Sequence, residues 1–195
     1  TDDVLYEWAS SNDIKCFRGS EDNVLSRFYH CASKNDAQII VRITADDPLK
    51  DPVVISHAIN LLLDHSELDY VSNTIKPTYP EGIDVEVFTF EALQRAFNLA
   101  VKKSDLEHVT PYIWNNPEEF KVHNFEASLD TSYVRLTVDY EDDIEVVRRI
   151  LHRFIDYPLV PYQHIVNFLS DHPEIAKING TIARNEGYNQ SIREE

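Results

Sequence analysis

Residues 37–64 read A-Q-I-I-V-R-I-T-A-D-D-P-L-K-D-P-V-V-I-S-H-A-I-N-L-L-L-D, and this stretch decides the fold class. The segment Ala37 to Thr44 reads as a strand, and its Ile39-Ile40-Val41 centre suits a strand buried on both faces. Asp46-Asp47-Pro48 then turns the chain. Asp51-Pro52 supplies a helix cap followed by proline at the first helical position. Ile55, Ala58, Ile59 and Leu62 recur at i, i+3, i+4 and i+7, so they share one side of a helix. A buried strand leading through an acidic turn into an amphipathic helix is the alternation of an α/β fold.

The pattern repeats outward from that stretch. Upstream, a helix begins near residue 2 with Thr1 or Asp2 as cap and Val4, Leu5 and Trp8 at helical spacing. A short strand is expected at Ile14 to Phe17, then a helix carrying Val24, Leu25, Phe28, Tyr29 and Ala32 on one side. Downstream, Asp69 to Ser72 reads as a strand. The polar, proline-rich loop N-T-I-K-P-T-Y-P-E-G follows at 73–82, and such loops often carry function. Ile83 to Phe88 reads as a strand, and Thr89 caps a helix burying Leu93, Ala96, Phe97, Ala100 and Val101. Phe120 to Phe125 and Val134 to Val138 are expected as two antiparallel strands. Acidic residues E-D-D then open a helix at the positive end of its dipole. A last helix starts at Pro161, and the tail from Asn179 reads as polar and loosely held. These elements predict a layered α/β sandwich with a largely parallel sheet, one domain over 1–195 with a C-terminal helical extension at 157–195.

Composition narrows the function. The 195 residues are 43% apolar, as in an ordinary globular chain. A net charge of −16 argues against nucleic acid and anionic membranes as partners. No apolar run approaches a membrane span and no signal peptide is evident. Cys16 and Cys31 sit in no metal-binding spacing and read as reduced thiols of a cytoplasmic protein, with one disulfide as the alternative. The chain contains no methionine and opens on T-D-D-V-L-Y-E-W. It has four glycines and neither G-x-G-x-x-G nor G-x-x-x-x-G-K-[ST]. The expectation is that an N-terminal strand and a nucleotide loop precede Thr1.

One hexapeptide occurs twice: V-R-I-T-A-D at 41–46 and V-R-L-T-V-D at 134–139. In an extended strand each copy puts Arg, Thr and Asp on one face: Arg42, Thr44 and Asp46, then Arg135, Thr137 and Asp139. Two strands that each end in an aspartate are what a divalent-metal site at a sheet edge requires. The alternative is that both aspartates cap the next turn. Arg42 and Arg135 face phosphates on one reading and pair with neighbouring carboxylates on the other.

Several segments, taken in order, resemble the cytidylyltransferase family that activates acidic sugars. They are F-R-G-S-E-D-N-V-L-S-R-F-Y at 17–29, V-R-I-T-A-D-D-P-L at 41–49 and P-T-Y-P-E-G-I-D-V-E-V-F at 77–88, then E-H-V-T-P-Y at 107–112, R-L-T-V-D-Y-E-D at 135–142 and R-N-E-G-Y at 184–188. They are similar in particular to the spore-coat polysaccharide biosynthesis protein F group, related to acylneuraminate and ketodeoxyoctonate cytidylyltransferases. The resemblance implies a Rossmann-like nucleotidyltransferase fold, a three-layer α/β/α sandwich with a mixed, mostly parallel sheet. It implies that CTP and a nonulosonic-type sugar acid give a CMP-sugar and pyrophosphate for cell-surface polysaccharide, and that the chain forms a homodimer. Two rivals stay open: a transferase using another nucleotide, and a non-catalytic domain that kept the fold.

The resemblance also implies site residues. Asp46 in T-x-D-x-P corresponds to a family ligand of Mg²⁺, with Asp47 where cysteine is usual. Asp139 corresponds to a second ligand, with Tyr140 where proline is common. Magnesium prefers oxygen donors and keeps several waters, so two strand-end carboxylates suffice beside substrate phosphates. Arg18 and Arg27 flank a helix start that lies near the nucleotide in the family, with surface ion pairs as the alternative. His108 and Tyr112 form an H-x-x-x-Y that contacts the sugar in related enzymes. Lys76, Tyr79 and Asp84, in or after the proline loop, are further sugar-contact candidates, and Glu86 is either one more or a structural carboxylate.

Overall fold

The protein is described by a computed structural model over residues 2–194. Four strands make its sheet: β1 (Ile39–Arg42), β2 (Tyr70–Ser72), β3 (Glu86–Thr89) and β4 (Val122–Asn124). Their order is β1-β3-β2-β4. β3 runs antiparallel to both neighbours, while β2 and β4 are parallel. Three strands therefore point one way and β3 alone is reversed, which makes the sheet mixed as expected. Register sets Arg42 directly opposite Glu86, and Ser72 opposite Glu86 on its other side.

The helices in chain order are α1 (Asp3–Ser11), α2 (Val24–Lys34), α3 (Pro52–Asp64), α4 (Phe90–Leu99), α5 (Lys103–His108), α6 (Pro111–Trp114), α7 (Glu141–Arg153), α8 (Tyr162–Asp171), α9 (Pro173–Ala176) and α10 (Glu186–Arg193). Strand alternation sends Val71 and Val87 into a core shared with α3, α7 and α8. It sends Ile40, Tyr70 and Phe88 into a second core with α2, α4, α5 and α6. The sheet thus lies between two helical layers, and burial of these apolar faces drives the assembly.

The capping residues behave as their chemistry dictates. Asp51 accepts from the Val53 amide at 2.8 Å and, with its other oxygen, from the Tyr162 amide at 3.0 Å. One buried carboxylate therefore starts α3 and fixes the start of α8. Thr89 accepts from the Ala92 amide at 3.1 Å. Asp2 makes no side-chain cap bond, and Thr1, the other candidate, lies outside the described residues.

Four expectations change. Residues Ile14 to Phe17 form no strand: Asp13 turns left-handed at φ 56°, the Ile14 amide bonds back to Ala9, and no described strand pairs with the segment. Residues 134–138 make no strand beside β4; a single parallel bridge joins Arg135 to Glu81. Val101 is 85% exposed because the chain leaves α4 at Ala100 in extended backbone. The tail from Asn179 is packed: Asn179 is buried and donates to Asp143 at 2.8 Å and to the Arg135 carbonyl at 3.3 Å. Cys16 and Cys31 are both free thiols. Among the described residues, no helix is long and apolar enough to cross a membrane.

Candidate active site

A cavity of about 390 Å³ opens where β1 and β2 end and the reversed β3 begins. Ligands in open α/β sheets bind at such carboxyl ends. The two hexapeptides meet here. The Val138 amide donates to the Asp46 carbonyl at 2.9 Å, and the Thr137 hydroxyl reaches the same oxygen at 3.5 Å. Asp46 and Asp139 both line the cavity.

The neighbouring aspartates differ in role. Asp47 is buried, accepting from the Thr44 hydroxyl at 2.9 Å and the Lys50 ammonium at 2.7 Å. Lys50 also donates to the Asp84 carbonyl. The turn is therefore locked by Asp47, which leaves the exposed Asp46 carboxylate with no hydrogen bond or ion pair among the described residues.

The second hexapeptide is held by its arginine. Arg135 is 6% exposed and grips Asp143 through two bonds of 2.9 and 3.0 Å. It also pairs with Glu81 at 2.9 Å and Asp139 at 2.5 Å. Asp143 sits in the first turn of α7 and accepts from the Asp139 and Tyr140 amides at 3.0 and 3.1 Å. Burial works to raise the Asp143 pKa. Its bonds from Arg135, the two amides and Asn179 outweigh that and hold it down to about 2. Burial likewise opposes the charge on Arg135, but its carboxylate partners win and raise its pKa. Three carboxylates around one guanidinium fix where the Asp139 oxygen sits.

Glu86 forms the floor. It accepts from the Tyr70 phenol at 2.6 Å, from the Thr110 hydroxyl and from Arg42 at 2.5 Å. Burial and the Glu86 charge push the Tyr70 phenol well above its ordinary pKa. Thr110 reaches Glu86 because Val109 adopts φ +75°, a strained angle for a β-branched residue, and lets the Thr110 amide bond back to the His108 carbonyl at 2.9 Å. Burial pushes the His108 imidazole below its ordinary pKa, with Glu107 opposing and Arg42 assisting.

The C-terminal segment closes one wall. Arg184 pairs with Asp84 and donates to the Tyr79 carbonyl at 3.0 Å. The Asn185 amide donates to Glu81 at 3.0 Å, and the Tyr140 phenol donates to Glu186 at 2.7 Å. His108 shares a 3.0 Å hydrogen bond with Ser191 of α10. The Tyr188 ring stands edge-on to both His108 and Trp114, at 5.2 and 5.6 Å between centroids. Burial raises the Asp84 pKa to about 6, although Arg184 and Lys50 pull it down.

Of the residues singled out by sequence, the structure brings Asp46, Asp139, Asp84 and His108 to the cavity. Five lie outside its lining. Arg18 pairs with Asp3 on the surface at 2.8 Å, and Arg27 donates to the Ser20 carbonyl at 2.7 Å. Lys76 pairs with Glu126 at 3.0 Å. The Tyr79 ring is buried against Phe125 and Tyr162. Tyr112 lies in α6, past the break at Val109, and its ring stands against Phe120. Arg42 and Arg135 take the carboxylate-pairing alternative, and Glu86 the structural one. Sequence reasoning missed Lys50, Glu81, Asp143, Arg184, Glu186 and Tyr188. The R-N-E-G-Y stretch was the only signal for the last three.

Fold and site together define a three-layer α/β protein whose acidic cavity sits at the carboxyl ends of its strands. Residues 2–177 match the model of a family described as cytidylyltransferase. The chain is 38% identical over 185 residues to an uncharacterised protein of Methanocaldococcus jannaschii, covering 93% of this chain and 73% of that one. It is 30% identical over 180 residues to the spore coat polysaccharide biosynthesis protein SpsF of Bacillus subtilis, covering 90% and 73%. Its structure is similar to that of a cytidylyltransferase from Leptospira borgpetersenii, with TM-score 0.86, 29% identity and coverage of 94% and 76%. The chain belongs to the cytidylyltransferase family, and so to the nucleotidyltransferases that use CTP.

Proposed function

We propose that this protein transfers CMP from CTP to a sugar hydroxyl, releasing pyrophosphate, in cell-surface polysaccharide synthesis, with Asp46 and Asp139 as ligands of Mg²⁺. The observation that carries the reading is the convergence of the two aspartates on one cavity, joined by the Val138–Asp46 bond. The likeness to SpsF supports the polysaccharide role.

The donor set fits magnesium. Both side chains offer hard oxygen, and among the described residues Asp46 makes no ion pair, Arg42 feeling its charge only at longer range. Among the described residues no three His, Cys, Asp or Glu side chains cluster as a closed cage. Two carboxylates suit an ion that keeps waters and takes phosphate oxygens. When bound, magnesium neutralises phosphate charge and eases ionisation of the attacking hydroxyl.

The chain's own residues supply position. The sugar oxygen bonds to the α-phosphorus as its bond to the pyrophosphate oxygen breaks, so no side-chain nucleophile is required. Arg135 holds the Asp139 oxygen, and Asp47 with Lys50 holds the Asp46 turn. Thr110, Arg42 and Tyr70 fix Glu86 beneath them.

Melting curves with CTP, UTP and GTP, each with Mg²⁺, test the reading. A ligand that binds the native state alone raises the melting temperature. CTP should raise it and the other two should not. Stabilisation by UTP or GTP without CTP sinks the proposal.

A further inference from the structure

The helix α7 ends in R-R-I-L-H-R, and Arg148, Arg149, His152 and Arg153 line a second cavity. Its floor is Phe168 of α8 and Ile175 of α9, with His172 between those helices. No carboxylate lines it, whereas seven Asp and Glu side chains line the transfer cavity, and no residue lines both. Its volume of about 390 Å³ suits a small organic ligand.

The charges here are weakly held. Arg148 and Arg149 share one counter-ion, Glu145, at 3.1 and 2.7 Å. Arg148 is 70% exposed, and surface pairs of this kind are weak, so an anion in the groove displaces Glu145 readily. Arg153 makes no ion pair or hydrogen bond among the described residues and only rests over the Phe154 ring at 5.4 Å. Three guanidiniums against one carboxylate leave two net positive charges in a chain whose total is −16. Compensation of the helix dipole reaches only the last turn, so it accounts for His152 and Arg153 but not for Arg148 and Arg149.

The apolar part of the groove is flat and fixed. The Phe168 and His172 rings lie 4.5 Å apart between centroids, and His172 Nδ1 donates to the Phe168 carbonyl at 2.9 Å. A phosphate monoester carries a charge of about −1.5 to −2 near neutral pH, which matches the guanidiniums. Nucleobases stack on aromatic rings and guanidinium planes. A nucleic-acid strand would run beyond the groove across an acidic surface, so the charge balance favours a single nucleotide.

We propose that this groove is a second ligand site, separate from the transfer cavity, that takes a nucleoside monophosphate. The phosphate sits among Arg148, Arg149 and Arg153, and the base lies against Phe168 and His172.

Histidine NMR tests this without turnover, because His152 and His172 line the groove and His108 lines the transfer cavity. The full chain is titrated with AMP, adenosine, inorganic phosphate and a short oligoadenylate, with divalent metal chelated. AMP is chosen because a site that reads cytosine gives adenine no place in the transfer cavity. Replacing each of the three histidines by glutamine assigns its signal. Millimolar AMP should shift the His152 and His172 signals and leave that of His108 in place. AMP should bind about tenfold tighter than either inorganic phosphate or adenosine, and added salt should weaken it. Arg153→Gln removes a cation that holds nothing else, so AMP should weaken about tenfold while the melting temperature stays at the parent value. Shifts confined to His108, no shift at His172, phosphate bound as tightly as AMP, or full AMP affinity in Arg153→Gln overturns the inference. Oligoadenylate bound tighter than AMP overturns the assignment to a single nucleotide.

Discussion

The Val138 amide donates to the Asp46 carbonyl at 2.9 Å, so the two hexapeptides V-R-I-T-A-D and V-R-L-T-V-D, 93 positions apart, touch at their acidic ends. The contact uses Asp46's main chain and leaves its carboxylate to the cavity. Chemistry and folding therefore separate at this residue. Asp46→Asn should lower CTP-dependent pyrophosphate release about a hundredfold or more, because several kcal/mol of charge stabilisation depend on the metal ligand. Its melting temperature should stay within a degree or two of the parent. Retained activity in calorimetrically intact protein would refute the metal role.

Asp139 does both jobs, and the contrast is testable. Its oxygen lies 2.5 Å from Arg135. Asp139→Asn should also lower activity, but with a measurable loss of stability of up to about 1 kcal/mol, since half its side chain is solvated. Urea unfolding of the two aspartate variants side by side reads the difference.

Arg135→Met should be the most damaging single change near the site. The guanidinium is 5% exposed and faces Glu81, Asp139 and Asp143, of which Asp143 is fully buried. Removing it strands buried carboxylates, at a cost of about 3–5 kcal/mol. Denaturant titration checks this, and a loss below about 1 kcal/mol would show that the cage is not structural.

The same cage explains what sequence could reveal. The stretch 37–64 announced its strand, turn and helix because the signals are local: β-branched residues, then Asp51-Pro52, then apolar spacing. The copy at 134–139 shares four of six letters but has a different structure. Its order comes from Arg135 bonding to Glu81 and Asp143, and from one bridge to Glu81, none of which leaves a periodic trace. The C-terminal tail looked loose because it is polar. Its polar atoms are the fastening, with Asn179 on Asp143 and Arg184 on Asp84, 100 positions away. That Asp46, Asp139 and Asp84 reach one cavity follows from carboxylates placed in the turns beside extended segments, a placement that turn caps share. Arg18 and Arg27 lie away from the cavity because a basic residue beside a helix start serves equally well in a surface ion pair, as Arg18 does with Asp3, or on a main-chain carbonyl, as Arg27 does on Ser20.

Gly82 is required by geometry. Its φ is +99°, and a Cβ there would lie 2.7 Å from the Leu136 carbonyl carbon and the Thr137 amide nitrogen. Both atoms are main chain of the second hexapeptide, so they cannot yield by a rotamer change. Gly82→Ala should destabilise the fold by about 2–4 kcal/mol. It should also displace Asp139, giving an activity loss that excess magnesium does not restore. An unchanged urea midpoint would contradict this account.

Two carboxylates set opposite limits on stability against pH. Asp143 has its pKa held at about 2, below the ordinary 3.8, so its contribution is present above about pH 4 and is lost as pH falls through 2. Burial raises Asp84 to about 6, so the native state holds that proton more tightly than the unfolded chain does. Its contribution is full below about pH 4 and is lost as pH rises through 6. The size is about 2–3 kcal/mol, reduced by whatever water enters the cavity mouth. Asp84→Asn keeps an oxygen for Arg184 and removes the titration. In the variant the decline between pH 4 and 7 should disappear, leaving the rise with pH that His108 contributes because burial lowers its pKa. If parent and variant decline in parallel across that window, some other group is losing the proton.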